Sequence, residues 1–293
     1  MQLTGGNLTL NAFIGAFTLN GVTLVGQNTI AATGTINLSG SPLGGGATLT
    51  IASNAVLNLQ TGTAFSGVLT NQGTVNWLAN NLNINTNGPT ATGAIWNQAG
   101  AVFDIQCDAV VANAAGLATF HNAGLVRKRI TAGVTTFNTF FDNSSTIQAQ
   151  TGTVNFAGGG NLGGAFQADS GTAINFNTGT YALSSPPNFQ GPGSLQIATT
   201  ALNAFTGVFT LSGSTLVGAN TVAATGTISL KGSQLGSGAS LTIATNAVLN
   251  IQTDLTLSGT LTNQGTVNWL AGNVVLKTNG IGSTGAILNQ AGA

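Results

Sequence analysis

Apolar and polar residues alternate over short segments along most of the chain. The pattern Thr–apolar–Asn–apolar occurs at 35–38, 74–77 and 153–156. Because successive side chains of a strand point to opposite faces, this pattern predicts half-buried β-strands. We expect the Thr and Asn side chains to face solvent. The apolar residues of the three segments should form the interior: Ile36, Leu38, Val75, Trp77, Val154 and Phe156.

A long internal repeat organises these segments. Residues 12–101 align without a gap with residues 204–293 at an offset of 192, and about 63 of the 90 pairs are identical. The string LTNQGTVNWLA at 69–79 recurs unchanged at 261–271, whereas residues 102–192 are present once. Self-similarity of this kind is typical of repeat architectures. We therefore expect residues 1–293 to form a single continuous solenoid.

A shorter spacing lies within the long repeat, where the motif apolar–x–Asn, followed by Gly or Ser, recurs at nearly regular intervals. The intervals fit the coils of a right-handed parallel β-helix, with coils of about 21–26 residues stacked over a continuous core. The all-β alternative is a row of tandem β-sandwiches. The motif asparagines are predicted to occupy turns, with left-handed backbone and stacked amides: Asn71, Asn97, Asn122, Asn143, Asn263 and Asn289.

Charge and composition exclude several classes of function. Only 3% of residues are charged, five acids balance five bases, and there is no Glu. Nucleic acid is therefore not an expected partner, because its binding needs concentrated Lys and Arg. No apolar stretch approaches the roughly 18 residues of a membrane helix, so membrane insertion is not expected. The N-terminal residues lack the features of a signal peptide, and we expect this chain to be an internal fragment.

The strings TVNFAGGGNLGGAFQADSGTAINFNTGTYALSS (153–185) and FHNAGLVRKR (120–129) resemble the repeats of large bacterial surface and secreted proteins. Those proteins are grouped loosely with adhesins and autotransporter passengers. The resemblance implies a right-handed β-helix at the bacterial cell surface or outside the cell, acting as a stalk or an adhesive surface. It carries over no catalytic residue.

An enzyme is the main alternative, because β-helices also host polysaccharide lyases and hydrolases. Asp104 and Asp108 would share one face of a straight strand, with backbones about 13 Å apart. That exceeds the separation of about 5–9.5 Å between the carboxyl groups of glycosidases. His121 and Arg127 could stack one coil later. We nevertheless expect both Asp side chains to be solvated on an outer strand, and no catalytic residue is predicted.

Two outer surfaces are candidates for contact with a partner. Arg127, Lys128 and Arg129 form the one basic cluster, which we expect to be solvated and to block unwanted strand pairing, with contact to acidic glycans as the alternative. Rows of Thr and Asn would suit hydrogen bonding to glycans or to ice: Thr35, Asn37, Thr74, Asn76, Thr153 and Asn155.

No cofactor or metal site is predicted. One histidine (His121) and one cysteine (Cys107) cannot build a zinc or haem site. The lone cysteine also excludes an intrachain disulfide and is expected to be a small buried side chain. Residues 158–163 spell GxGxxG, but the sequence that follows is strand-like rather than helical. The predicted function is a non-catalytic structural or adhesive repeat, with extracellular glycans and other copies of the chain as expected partners.

Overall fold

The chain folds as an all-β, parallel β-solenoid of about 11 turns. The computed structural model describes residues 2–10, 13–85, 93–113, 118–179, 181–182, 187–197, 208–222, 224–278 and 284–293. Within these ranges there is no helix, and hence none long and apolar enough to cross a membrane. The predicted fold class, an all-β parallel solenoid, is confirmed. The chain divides into two compact units, Met1–Val154 and Asn155–Ala293.

The described part of the first unit contains twenty complete strands and the start of another. They are β1 (Gln2–Thr4), β2 (Asn7–Leu8), β3 (Ala16–Asn20), β4 (Thr23–Leu24), β5 (Gln27–Ile30), β6 (Thr35–Ser39), β7 (Thr48–Ile51), β8 (Val56–Leu59), β9 (Thr63–Phe65), β10 (Val68–Asn71), β11 (Thr74–Trp77), β12 (Leu82–Ile84), β13 (Ala94–Asn97), β14 (Val102–Ile105), β15 (Val110–Asn113), β16 (Thr119–Asn122), β17 (Leu125–Lys128), β18 (Val134–Phe137), β19 (Phe140–Asn143), β20 (Thr146–Ala149) and β21 (Thr153–Phe156), which contains the division between the units.

These strands form three parallel faces, and the chain visits the faces in turn. Face A has the strand order β1-β3-β6-β8-β11-β14-β17-β20. Face B includes β9-β12-β15-β18, and face C has the order β5-β7-β10-β13-β16-β19. Most coils contribute one strand to each face, so residues one coil apart stand side by side. Thr74 of β11, for example, pairs with Val56 of β8 and Val102 of β14.

The second unit is built in the same way. Its strands are β22 (Gly160–Leu162), β23 (Ala165–Ala168), β24 (Ala173–Phe176), β25 (Tyr181–Ala182), β26 (Asn188–Gln190), β27 (Ser194–Ile197), β28 (Val208–Ser212), β29 (Thr215–Val217), β30 (Ala219–Val222), β31 (Thr227–Lys231), β32 (Gln234–Leu235), β33 (Ser240–Ile243), β34 (Val248–Ile251), β35 (Leu255–Leu257), β36 (Thr260–Asn263), β37 (Thr266–Trp269), β38 (Val274–Leu276) and β39 (Ala286–Asn289). The GxGxxG segment contains β22 and leads into β23, without a helix.

Coil length varies more than the sequence predicted. On face A of the first unit, Thr18, Asn37, Asn58 and Asn76 stand in register at intervals of 19, 21 and 18 residues. The next step on this face, from Asn76 to its partner Asp104, is much longer. The strands keep a similar length, so the variation lies in the connections. Coils both shorter and longer than the predicted range therefore occur.

Alternation along each strand fills the core. The six apolar residues predicted to lie inside are all 0–1% exposed. In the first unit the largest side chains form an aromatic stack, in which Phe120 lies 5.0 Å from Phe103 and 5.1 Å from Phe141 between ring centroids. Close stacking also needs glycine at some corners. A Cβ at Gly73 would collide with the carbonyl oxygens of Ala52 and Ala55 in the preceding coil.

Candidate functional site

Asparagine side chains join the coils from inside. Each occupies the fourth position of a face C strand, two residues after a buried apolar residue, so its side chain points inward. Asn71 donates through Nδ2 to Oδ1 of Asn97 at 2.8 Å, and Asn97 donates in the same way to Asn122 at 2.8 Å. Asn122 donates to Asn143, also at 2.8 Å. These four residues, here called the inner ladder, are 0–2% exposed.

The second unit contains a matching pair. Asn263 donates through Nδ2 to Oδ1 of Asn289 at 2.7 Å. The expected turn position and left-handed backbone are wrong for all six motif asparagines, because each ends an extended strand with its side chain inward. Left-handed backbone occurs instead at the corner residues Asn54 and Asn246, which are equivalent in the two copies of the long repeat.

A second ladder runs along the outside of face A. Asn37 donates to Oγ1 of Thr18 at 3.1 Å, Asn58 donates to Oδ1 of Asn37 at 2.8 Å, and Asn76 donates to Oδ1 of Asn58 at 2.8 Å. We call Thr18, Asn37, Asn58 and Asn76 the outer ladder. Its amides use hydrogen-bonding capacity on each other, which leaves less of it for an external partner.

The outer row continues into an ion-pair cluster. Asp104 stands in register between Asn76 and Arg127. Arg127 Nε lies 2.9 Å from Asp104 Oδ1, Arg129 Nη2 lies 2.7 Å from Oδ2, and Gln106 Nε2 donates to Oδ2 at 2.7 Å. Burial alone would raise the pKa of Asp104. The hydrogen bonds from Arg129, Arg127 and Gln106 outweigh that effect and leave the pKa below its usual value.

A separate charged cluster surrounds Lys128. This side chain is 0% exposed, because Lys128 lies in register between Ile105 and Ala149 on the inward face. Its Nζ donates to the Cys107 carbonyl at 3.1 Å and to Thr131 Oγ1 at 2.8 Å, and it also contacts Asp108. Burial acts to raise the pKa of Asp108, but hydrogen bonds from Lys128, Thr131 and the Gly133 amide leave it lowered.

These contacts correct two predictions. Asp104 is 1% exposed rather than solvated, and Lys128 lies inside the solenoid rather than on a basic surface. Arg127 and Arg129 do reach the surface, with side chains 31% and 36% exposed, but both point at Asp104. The two Asp carboxylates are held in separate clusters and do not face one another as an acid–base pair.

The other predicted contact residues do not form one row. Thr35, Asn37, Thr74 and Asn76 lie half-buried on face A, on β6 and β11. Thr153 and Asn155 lie half-buried on β21, a strand of face B.

A groove beside face C of the first unit was not predicted from the sequence. It passes along three successive coils, where Trp96, His121 and Asp142 stand in register on the outer surface of β13, β16 and β19. The rings of Trp96 and His121 stack with centroids 3.7 Å apart and planes 14° apart. His121 Nδ1 lies 3.0 Å from Asp142 Oδ2. Gln98 and Ser144 also line the groove.

No group of three or more His, Cys, Asp or Glu side chains in the described ranges could hold a metal ion. Cys107 is a buried free thiol, and burial raises its pKa to about 11. No protein-family model, curated protein or solved structure matches this chain. The geometry is therefore the basis on which a function can be assigned.

Proposed function

We propose that this chain is a non-catalytic structural and adhesive repeat of a bacterial extracellular surface protein. Its role is to hold a rigid surface away from the cell and to make weak glycan contacts that add up along the repeats. The observation that carries this proposal is the continuous side-chain ladders of the first unit, which connect one coil to the next both inside and outside the wall.

The ladders support rigidity for a simple reason. An amide is both a donor and an acceptor, so one asparagine per coil can bond to the coil before it and the coil after it. Bending or shearing one coil against the next would break these bonds inside a dry core, where unsatisfied polar groups are costly. The inner ladder therefore resists movement between coils, in addition to the backbone hydrogen bonds of the parallel strands.

The composition and the outer surface support an extracellular, adhesive role. The outer surface presents Thr and Asn side chains and carries little charge. Such a surface neither repels nor attracts other molecules strongly, which suits contact with neutral polymers. Other copies of the chain remain a proposed partner, since exposed strand edges can pair. Sedimentation at several concentrations tests self-association, and a constant sedimentation coefficient would contradict it.

A carbohydrate-active enzyme is the second candidate. His121 and Asp142 form a hydrogen-bonded pair at the groove, which Ser144 also lines. Such a pair could act as a general base. Incubation of the protein with neutral and acidic polysaccharides, followed by an assay for new reducing ends, separates the candidates. Turnover that is lost in His121→Gln would favour the enzyme.

Single-molecule stretching of the full chain tests the structural role. A rigid display element should resist extension and then lengthen in discrete steps as coils detach. The Asn97→Ala variant, which interrupts the inner ladder, should lower the force of at least one step. The matched Asn58→Ala variant in the outer ladder should change the forces less. Smooth lengthening of the unmodified chain at low force would contradict the proposal.

A further inference from the structure

The groove beside face C has the features of a built binding site. Trp96 is 40% exposed, whereas its strand neighbours Ile95 and Asn97 are buried. Its ring is fixed by stacking on His121, and His121 is fixed in turn by Asp142. Side chains that are already held in place lose little conformational entropy when a ligand binds. This arrangement therefore favours binding at an exposed indole more than a freely rotating surface Trp would.

The chemistry of the lining indicates the class of ligand. An exposed indole offers a flat apolar face beside polar groups, which suits a ligand that is apolar on one side and hydroxylated on its edges. A pyranose ring has this form. Its C–H face can cover the part of Trp96 that His121 leaves exposed, while its hydroxyls bond to the amide of Gln98. Hydroxyls of a neighbouring sugar can bond to the carboxylate of Asp142 and the hydroxyl of Ser144, two coils further on.

The charge of the groove narrows the class further. Asp142 carries the acidic group, with a side chain 37% exposed, and His121 is its bonded partner. An acidic glycan would meet this carboxylate without a free cation to offset it. The Arg127 and Arg129 side chains lie on face A and are directed at Asp104. A neutral glycan avoids that repulsion.

The stacking on His121 sets where a sugar can lie. The two rings stack across one coil step, so His121 covers the face of the Trp96 indole that is turned toward the next coil. A sugar ring can therefore cover only the part of the indole that His121 leaves exposed. A glycan of two or more sugars is needed to reach Asp142 as well, two coil steps or roughly 10 Å along the row.

We propose that the groove formed by Trp96, Gln98, His121, Asp142 and Ser144 binds a neutral glycan chain, with one sugar ring against the part of the Trp96 indole that His121 leaves exposed. This inference rests on the adhesive part of the proposed function and assigns the glycan contact to this groove. The equivalent position in the second copy is Leu288, in AILNQAG instead of AIWNQAG, so the site belongs to one copy of the long repeat.

The test is a binding measurement on the full chain with named polymers. Hydroxyethyl cellulose, xyloglucan, galactomannan and starch serve as neutral probes, and polygalacturonate serves as the acidic comparison. Trp96→Leu introduces the residue that the second copy already carries, and should lower the affinity for the preferred neutral probe by at least about ten-fold. Gln98→Ala should weaken it to a smaller extent. Circular dichroism verifies that each variant is folded.

Phe140→Leu is the matched control. Phe140 is an exposed aromatic residue, 38% accessible, on β19 outside the groove lining. Its replacement should leave binding unchanged. The inference is overturned if no neutral probe binds, if polygalacturonate binds best, or if Trp96→Leu and Phe140→Leu have equal effects. The stretching experiment measures the structural role separately. None of these binding outcomes therefore decides whether the solenoid is rigid.

Discussion

Two stretches of the first unit share the same backbone architecture but join their coils with different chemistry. Residues 1–101 contain no charged side chain, whereas residues 102–150 contain three acids, three bases and the only histidine. On the outer surface of face A, the register continues from Asn76 to Asp104 and Arg127 without a change in direction. What the stretches have in common is therefore the alignment of side chains one coil apart.

The difference between them has a physical reason. A row of identical amides can continue through any number of coils, because each amide accepts on one side and donates on the other. A row of identical charges would repel, so a charged row must alternate in sign. Asp104 accordingly lies beside Arg127 of the next coil and is also bonded to Arg129. The uncharged stretch can recur as a repeat, while the charged stretch depends on specific partners.

The largest effect is expected at the buried carboxylate. Asp104→Asn keeps the shape of the side chain but leaves two guanidinium groups without their counter-charge. The free energy of unfolding should fall by about 3 kcal/mol, as when a buried ion pair loses one partner. Urea denaturation at neutral pH measures the change. Asp169→Asn, at a residue without an ion pair in the described part of the chain, is the matched control and should have little effect.

Acidification should produce part of the same loss. The folded pKa of Asp104 lies below its usual value of 3.8, so its stabilising contribution is present above that pH and disappears as the pH falls through the folded pKa. Asp108 acts in the same direction. The unmodified chain should therefore lose stability more steeply than Asp104→Asn in denaturation series between pH 5 and pH 2. Parallel curves for the two proteins would contradict the assignment.

The inner ladder should respond next. Asn97→Ala removes a donor and an acceptor at once, leaving Nδ2 of Asn71 with only its bond to the Val102 carbonyl and Oδ1 of Asn122 with only its bond from the Gly124 amide. The free energy of unfolding should fall by about 2 kcal/mol, because these groups are buried. Thermal and urea denaturation measure the loss. An unchanged midpoint would mean that the inner ladder does not stabilise the stack.

The outer ladder should respond least. Asn58→Ala removes the bonds to Asn37 and Asn76, but these side chains are half-exposed and water can replace the lost partners. We expect a loss of about 0.5–1 kcal/mol, the net value of an ordinary hydrogen bond. If Asn58→Ala lowered the free energy of unfolding as much as Asn97→Ala, burial of the ladder inside the wall would not determine how much its hydrogen bonds stabilise the fold.

The fold could be predicted because two regularities survive in the sequence. Spaced asparagines indicate successive coils, and strand alternation places Ile36, Leu38 and Trp77 in the core. The coil lengths were harder to obtain, since a short and a long stretch of chain can close a coil equally well when only the connection lengthens. The spacing of the motif asparagines thus matches their register in the structure, from Asn71 to Asn143 and from Asn263 to Asn289, but it did not give the register of pairs such as Asn76 and Asp104.

The candidate sites were harder to predict, because the prediction placed polar residues outside according to their type even where strand alternation placed them inside. Asn71 follows Leu69 by two positions, and Lys128 follows Val126 by two, so strict alternation places both inside. Their polarity instead favoured an exposed position. The same alternation directs Trp96 outward, between Ile95 and Asn97. Its contact with His121, however, depends on a register across a whole coil that only the structure reveals.

Disulfide trapping tests the central claim, the in-register stacking of coils, most directly. Thr29, Thr50 and Thr70 stand on successive coils of face C. The pair Thr29→Cys with Thr50→Cys should oxidise readily within one molecule, because neighbouring strands lie within disulfide reach. The pair Thr29→Cys with Thr70→Cys, two coils or roughly 10 Å apart, should not. Cys107 is buried and does not compete. Equal cross-linking of both pairs, or of neither, would contradict the stacked-coil account.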